Sequence, residues 1–262
     1  VKTASLRGIR LLLGLVAAAF VLAAPAGGVA ASPRVLVAAF DNDVNPVTQD
    51  YLEDAMQRAA DERFDAVVIE MDTPGGLGSS MREIVKTMLA LPVPVIVYVA
   101  PGGSSADSAG AVIGQAADVL AMAPQTNIGS STPISATGEE LSKDLRRKVV
   151  NDAAAYVGEL AREHGRNGRA AEAMVHTAAN YGAREARARN VVDVVSPTLD
   201  ELLETVDGRV TEPKGLTLHT AGADVLDELP GLPRDFGALR RVEAAAAHKL
   251  VDECRLVGQD QA

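Results

Sequence analysis

Aromatic and thiol side chains are almost missing from this sequence. Its 262 residues hold no Trp, four Phe, four Tyr and one Cys. A single thiol excludes an internal disulfide and any cysteine-based metal cluster, and Cys254, close to the C-terminal end, reads as a bystander. Basic side chains are also in deficit, 25 against 35 acidic, for a formal charge of −10. That balance repels a phosphate backbone and argues against nucleic acid as a partner. Beyond the first 24 residues no apolar run approaches the roughly 20 residues that a membrane helix requires. What remains is a chain with 47% apolar and 23% charged residues, a composition of globular proteins with a core built mainly of Ala, Val and Leu.

The first 31 residues form a block of their own. A basic stretch, VKTASLRGIR, precedes the apolar run LLLGLVAAAFVLAA, and PAGGVAAS closes it with small residues suited to signal peptidase. This pattern reads as a secretory signal cleaved near Ala31, with an uncleaved membrane anchor as the alternative. Either places the rest of the chain in a periplasmic or extracellular setting.

From residue 34 onward, strand and helix signals alternate. RVLVAAF (34–40), AVVIEMD (66–72), VPVIVYVA (93–100) and DVLAMA (118–123) read as buried strands, being short and rich in β-branched residues. Between them, helical spacing of apolar residues predicts helices over 47–63, 78–91 and 106–117. A long helix over 139–164, a strand within 188–195, a small helix over 199–206, a hairpin in GRVTEPKGLTLHT and a helix over 236–256 follow. Such alternation predicts a layered α/β fold with a largely parallel sheet and flanking helices.

In open α/β sheets, ligands sit beyond the carboxyl ends of the strands. Two of the predicted strand ends carry unusual chemistry, DTPGGLGSS (72–80) and PGGSSADSAG (101–110). Consecutive strands are usually neighbours, so the two loops should meet at one edge. Pro74-Gly75-Gly76 can be a plain tight turn. It can also turn backbone N–H groups toward a substrate carbonyl, as in an oxyanion hole. Serines at the start of an apolar run commonly cap a helix, but Ser104, Ser105 and Ser108 are more than one cap needs.

TPGG, the small-residue helix start ADSAG and the later IGSSTPI together resemble the Clp-protease/crotonase fold. More narrowly, they resemble the NfeD-type membrane-associated serine proteases that are encoded alongside stomatin-like proteins. The likeness runs from about Val35 to Val195 and includes EMDTPGG, PVIVYVAPGGSSADSAG, AMAPQTNIGSSTPI and KVVNDAAAYV…HGRNG. It implies a signal segment or anchor (1–31), a protease domain (32–208) and an extension of hairpin plus helix (209–262). The implied nucleophile is Ser108, with Ser104 and Ser105 as loop or capping hydroxyls. The implied oxyanion donors are the N–H groups of Gly76 and Ala109, with Gly75 and Leu77 beside them as substrate-binding positions. Ser108 at a helix start also suits developing negative charge, which the free N–H groups and the helix dipole favour.

A hydroxyl needs a base, and only His164, His176, His219 and His248 are available as imidazoles. Where cytosolic Clp proteases carry their triad histidine this chain has Ser131, and HTAANYG holds no acid where their aspartate would fall. The resemblance instead implies a Ser–Lys dyad, with Lys148 as the base. In the predicted helix Lys148 borders the apolar stripe of Leu141 and Leu145, whereas Lys143 lies on a solvated face. A free lysine titrates near ~10.4 and a working base near about 7–8. The gap of about 4 kcal/mol must come mainly from desolvation, assisted by Arg146 and Arg147.

Asp107, directly before Ser108, departs from the family pattern. Pointing into the site it would hold Lys148 protonated; pointing to solvent, the favoured reading, it is a harmless acid at a helix start. Long family members continue into membrane spans and a β-barrel domain, and the resemblance here is to a truncated or stand-alone protease module. Leu226, Leu229, Leu232, Phe236, Leu239 and Val242 can pack on the domain or form a subunit contact. The resemblance implies an endopeptidase that needs no cofactor or metal, cuts apolar polypeptide segments, serves a stomatin-like membrane partner and assembles into dimers or larger homo-oligomers. The alternatives are a catalytically weak scaffolding module and a crotonase-type acyl-CoA enzyme. The latter is disfavoured by the signal segment and by the lack of a positioned acid.

Overall fold

The computed structural model describes residues 32–134 and 142–228. The segment read as a signal, Leu141, His248, Cys254, the helix expected over 236–256 and the tail apolar residues other than Leu226 lie outside them. Among the described residues no helix is long and apolar enough to cross a membrane.

Six strands form one parallel sheet. They are β1 (Arg34–Phe40), β2 (Ala66–Met71), β3 (Val95–Val99), β5 (Val119–Met122), β8 (Val194–Val195) and β9 (Asp224–Glu228), in the order β8-β5-β3-β2-β1-β9. Each pair is in parallel register, for example Val37 with Val68, Val68 with Ile96 and Val97 with Leu120. Alternating side chains feed opposite faces. Leu36, Ile69, Val97 and Leu120 pack with Leu52, Met56, Ile84, Met88 and Ile113 on one face. Val35, Val37, Val68, Ile96 and Tyr98 pack with Leu202, Leu203, Val206 and Leu218 on the other. The sheet is therefore covered on both sides, which is why its strands read as continuous apolar runs.

The helices are α1 (Pro46–Asp61), α2 (Gly78–Ala90), α3 (Ala109–Gln115), α4 (Lys143–Glu163), α5 (Gly168–His176), α6 (Ala183–Ala188) and α7 (Leu199–Val206). Asn45 starts α1 with a capping box, accepting from the N–H groups of Val47 and Thr48 while Thr48 accepts from its own.

β1, β2, β3 and β5 and the helices α1 and α2 match the sequence reading closely. Other features differ, and α5 and α6 are helices that the sequence reading did not give. Ala106 and Asp107, expected at the start of a helix, instead belong with Ser105 to β4 (Ser105–Asp107), and α3 starts only at Ala109. With β6 (Asn127–Gly129) and β7 (Asn180–Gly182), β4 makes a second small sheet in the order β4-β6-β7. The strand expected across 188–195 shrinks to Val194–Val195, because α6 runs through Ala188. The predicted hairpin is reduced to one antiparallel bridge, Val210 to Thr217. After it the chain returns to the large sheet as β9, parallel to β1, with Leu226 packed against the core. Residues beyond 208 thus contribute an edge strand to the sheet.

Candidate active site

Thr73, at the carboxyl end of β2, moors both loops. Its amide donates to the Ser105 carbonyl (2.8 Å) and its carbonyl accepts from the Asp107 amide (3.0 Å), so the two strand ends run side by side. Its hydroxyl donates to the Asn42 carbonyl (2.6 Å) and accepts from the Gly75 amide (3.1 Å). From the loop between β1 and α1, Val44 donates to the Gly75 carbonyl (2.7 Å) and accepts from the Leu77 amide (2.7 Å). Both of Val44's backbone bonds thus flank Gly76 without using its N–H.

Gly75 and Gly76 have φ of +105° and +150°, and a Cβ on Gly76 would stand 2.1 Å from the Val44 carbonyl oxygen. Only glycine fits that approach. Gly75 lies against the serine loop, where a Cβ would come within 2.5 Å of the Ser108 Cβ and 3.1 Å of the Ala109 nitrogen. The two loops therefore meet, and Gly75, Gly76, Ser108 and Ala109 form one site.

Ser108 is the N-cap of α3 with φ 53° and ψ −114°, left-handed backbone that a serine rarely adopts. Such a conformation costs on the order of 1–3 kcal/mol and persists only where the surroundings impose it. The Ser108 amide donates to the Gly129 carbonyl (2.9 Å), and the Ser131 hydroxyl reaches the Ser108 carbonyl (3.0 Å). The Ser108 side chain makes no capping bond and has no hydrogen-bond partner among the described residues. The N–H groups of Gly76 and Ala109 are likewise without an acceptor among the described residues. A half-buried hydroxyl next to two unused amides is an arrangement able to attack a carbonyl and hold the resulting oxyanion.

Ser104 and Ser105 are not helix caps. Ser104 is buried and its backbone pairs with Pro101 and Asn127; Ser105 lies in β4, its amide donating to Asp72 (2.9 Å). Asp107, expected to face solvent at a helix start, instead ends β4. Its carboxylate is half-buried and accepts from the side-chain amides of Asn180 (2.9 Å) and Asn127 (3.3 Å). Asn180 also donates to Ser130 (2.9 Å). The second sheet places these groups together because β6 pairs Asp107 with Gly129 and Gly129 with Asn180.

Lys148 lies on an exposed part of α4 and forms no hydrogen bond or ion pair among the described residues. The apolar stripe expected to run beside it is not buried at Leu145, which is 47% exposed. α4 is fully buried only from Ala154 onward, with Val150 and Ala153 partly buried against the core, and it packs against α3 and α5. The first turns of α4, through Lys148, are exposed, so among the described residues the amine is not enclosed in a dry pocket with Ser108. Lys143 is exposed, as anticipated.

Among the described residues the histidines supply no base in contact with the site. His164 is buried at the end of α4, its Nδ1 donating to the Leu160 carbonyl (2.8 Å). It lines a cavity of about 370 Å³ with Asp118 and Asp193, residues that precede β5 and β8. That is the amino edge of the sheet, opposite the two loops. Burial lowers the His164 pKa, the Leu160 carbonyl partly opposing it. His176 and His219 are exposed and make no contact with Ser108. The supports at Thr73, Asn127, Asn180 and Ser131 were not anticipated, apart from Ser131's place in the family comparison. The one sequence hint was the density of small polar residues flanking the loops.

The family model described as the N-terminal domain of NfeD1b matches residues 34–205. The membrane-bound protease PH1510 of Pyrococcus horikoshii is 34% identical over 204 residues, 78% of this chain and 45% of that protein. The membrane protein NfeD1b of Bacillus subtilis is 28% identical over 123 residues, 46% of this chain and 28% of the relative. The chain thus spans less than half the length of these curated relatives. A serine-to-alanine mutant of the 1510-N membrane-bound stomatin-specific protease superposes with a TM-score of 0.71 at 33% identity, covering 77% of this chain and all of that one. The lysine-to-alanine mutant of the same protease, in complex with a substrate peptide, gives the same TM-score and identity over 77% of this chain and 94% of its own. The ClpP catalytic domain of Plasmodium falciparum superposes at 0.51 with 14% identity over 62% of this chain and 86% of that one, a likeness of fold.

Proposed function

Because the chain belongs to the family of NfeD1b N-terminal domains, with a ClpP-like fold, we propose that it is a serine endopeptidase using a Ser–Lys dyad. The observation that carries this reading is the unbonded Ser108 hydroxyl, held at positive φ beside the two unused amides of Gly76 and Ala109. Ser108 Oγ attacks the scissile carbonyl while the Lys148 amine takes its proton. The oxyanion is received by the Gly76 and Ala109 N–H groups. The Lys148 ammonium then protonates the leaving amine, and water releases the acyl group from Ser108 by the reverse sequence.

Lys148 must lose water to act at neutral pH, and its exposure leaves that task to the bound substrate or to a second copy of the chain. The substrate class is an apolar polypeptide segment of a stomatin-like membrane protein, in keeping with the relative described as stomatin-specific. Gly75 and the 44% exposed Leu77 would line its path. The setting is the membrane surface on the periplasmic or extracellular side.

The test is a fluorophosphonate probe together with hydrolysis of an apolar peptide by the full chain. Wild type should be labelled and active, and Ser108→Ala should lose both. Lys148→Ala should slow labelling and turnover by about 100-fold or more, within the usual contribution of a general base. Labelling that persists in Ser108→Ala overturns the nucleophile. Full activity in Lys148→Ala overturns the dyad alone. The exposure of Lys148 favours a second reading, a catalytically weak module that binds a stomatin-like partner. Partner binding by a chain that no serine probe labels would support it.

A further inference from the structure

Ser131 lies just past the end of β6, buried except for 6% of its surface, and its hydroxyl is within reach of two carbonyls. One belongs to Ser108 (3.0 Å) and the other to Gly129 (3.1 Å). The hydroxyl has one proton to give. The Gly129 carbonyl already receives the Ser108 amide at 2.9 Å, whereas the Ser108 carbonyl receives from α3 only a long bond, Val112 N–H at 3.4 Å. The Ser108 carbonyl is therefore the acceptor in greater need.

That carbonyl shares a peptide unit with the Ala109 N–H. The unit is trans, and in a planar trans peptide the C=O and N–H point in opposite directions. Fixing one end fixes the other. We propose that Ser131 is a positioning residue that aims the Ala109 N–H at the oxyanion by anchoring the Ser108 carbonyl from behind. The hydroxyl also helps hold Ser108 at its φ of 53°, a conformation that its own side chain does nothing to stabilise. Donation to the carbonyl further polarises the same peptide, making its N–H a better donor. Around Ser131 the anchoring is firm: its amide donates to the Met174 carbonyl (2.8 Å) and the Thr132 hydroxyl to the Val175 carbonyl (2.6 Å). The end of β6 is thus pinned to the last turn of α5.

The inference rests on Ser108 being the nucleophile. Its test compares Ser131→Ala, Ser131→Val and Ser131→Thr with wild type and Ser108→Ala in the full chain, using an apolar peptide substrate and a peptide boronate. The boronate's tetrahedral adduct carries negative charge where the oxyanion forms. Thr and Val have nearly the same shape and differ in the hydroxyl. Ser131→Ala and Ser131→Val should lose about tenfold or more in kcat, a fraction of the 10²–10³ that deleting an oxyanion donor costs. KM should stay within about twofold, since the ground-state carbonyl gains little from the same donor. Boronate affinity should fall in parallel with kcat, and Ser131→Thr should recover most of both. A residue that only stabilised the fold would change melting temperature without this split.

Wild-type kcat and boronate affinity in Ser131→Ala would overturn the proposal while leaving the nucleophile intact. Loss in Ser131→Thr equal to that in Ser131→Val would overturn it too, since the hydroxyl would then not matter. Should valine prevent folding, the alanine and threonine variants decide between the same outcomes. Peptide hydrolysis unchanged in Ser108→Ala would instead remove the nucleophile reading and the positioning role with it.

Discussion

Gly75 and Ser108 are so close that a Cβ on the glycine would stand 2.5 Å from the Cβ of the serine. Two loops more than thirty residues apart in the chain are thereby packed backbone against side chain, and the glycine is the condition of that contact. Gly75→Ala should push Ser108 out of place and strain a backbone at φ +105°. A displacement of about 1 Å at a reacting group can cost on the order of 100-fold in rate, and the strain on the order of 1–3 kcal/mol in stability. Probe labelling and a thermal melt would read both. Labelling at the wild-type rate would mean that the loop relaxes without disturbing the serine.

Asp107 should prove structural and not inhibitory. Its carboxylate is engaged by Asn127 and Asn180, so Asp107→Ala should leave two amide groups short of an acceptor. The loss is about 1 kcal/mol for partly solvated groups, with Asn180 still bonded to Ser130. Peptide hydrolysis should not rise. A variant faster than wild type would show that the charge restrains the base after all.

His164 should make stability depend on pH in the mildly acid range. Unfolded, the imidazole takes its proton near ~6.5. Folded, burial keeps it neutral to lower pH, with the Leu160 carbonyl and Asp118 opposing and Arg166 and Lys214 reinforcing the effect. Between those two values the unfolded chain binds the extra proton, so stability falls as pH drops below about 6.5. Melting temperatures from pH 8 to 5 should decline in wild type and flatten in His164→Phe. An identical decline in both would assign the effect to other groups.

Asp193 and Arg166 form an ion pair (2.9 Å) with both side chains almost fully buried, and Arg209 reaches the other carboxylate oxygen (2.7 Å). Burial alone would raise the Asp193 pKa, but Arg166, the Leu120 amide and Arg209 together hold it below the ordinary carboxylate value. Its contribution to stability is therefore present above about pH 4 and is lost as pH falls through the depressed folded value. Asp193→Ala should cost about 3–5 kcal/mol, because a buried guanidinium loses its counter-charge. Chemical denaturation would measure it. A loss under 1 kcal/mol would mean that the carbonyls of Gln115 and Ala117, which Arg166 also reaches, suffice.

The amino-acid sequence by itself determined the alternation of buried strands and amphipathic helices and the two loops at their carboxyl ends. Those features are local: a run such as VIVYV must be buried on both faces wherever it lies, and a Gly pair at a strand end imposes its turn on any surroundings. Tertiary structure decided the rest. Strands β4, β6 and β7 have three residues each, too few to show a period, and exist because their partners come from distant parts of the chain. The left-handed backbone of Ser108 is imposed by the Gly129 and Ser131 contacts, which no local pattern encodes. The direction of α4 is likewise a packing outcome, since Ala154, Val157 and Leu160 fasten one half to the core. That anchoring leaves the turns bearing Leu145 and Lys148 at the surface, because a helix can bury only the length that its neighbours reach.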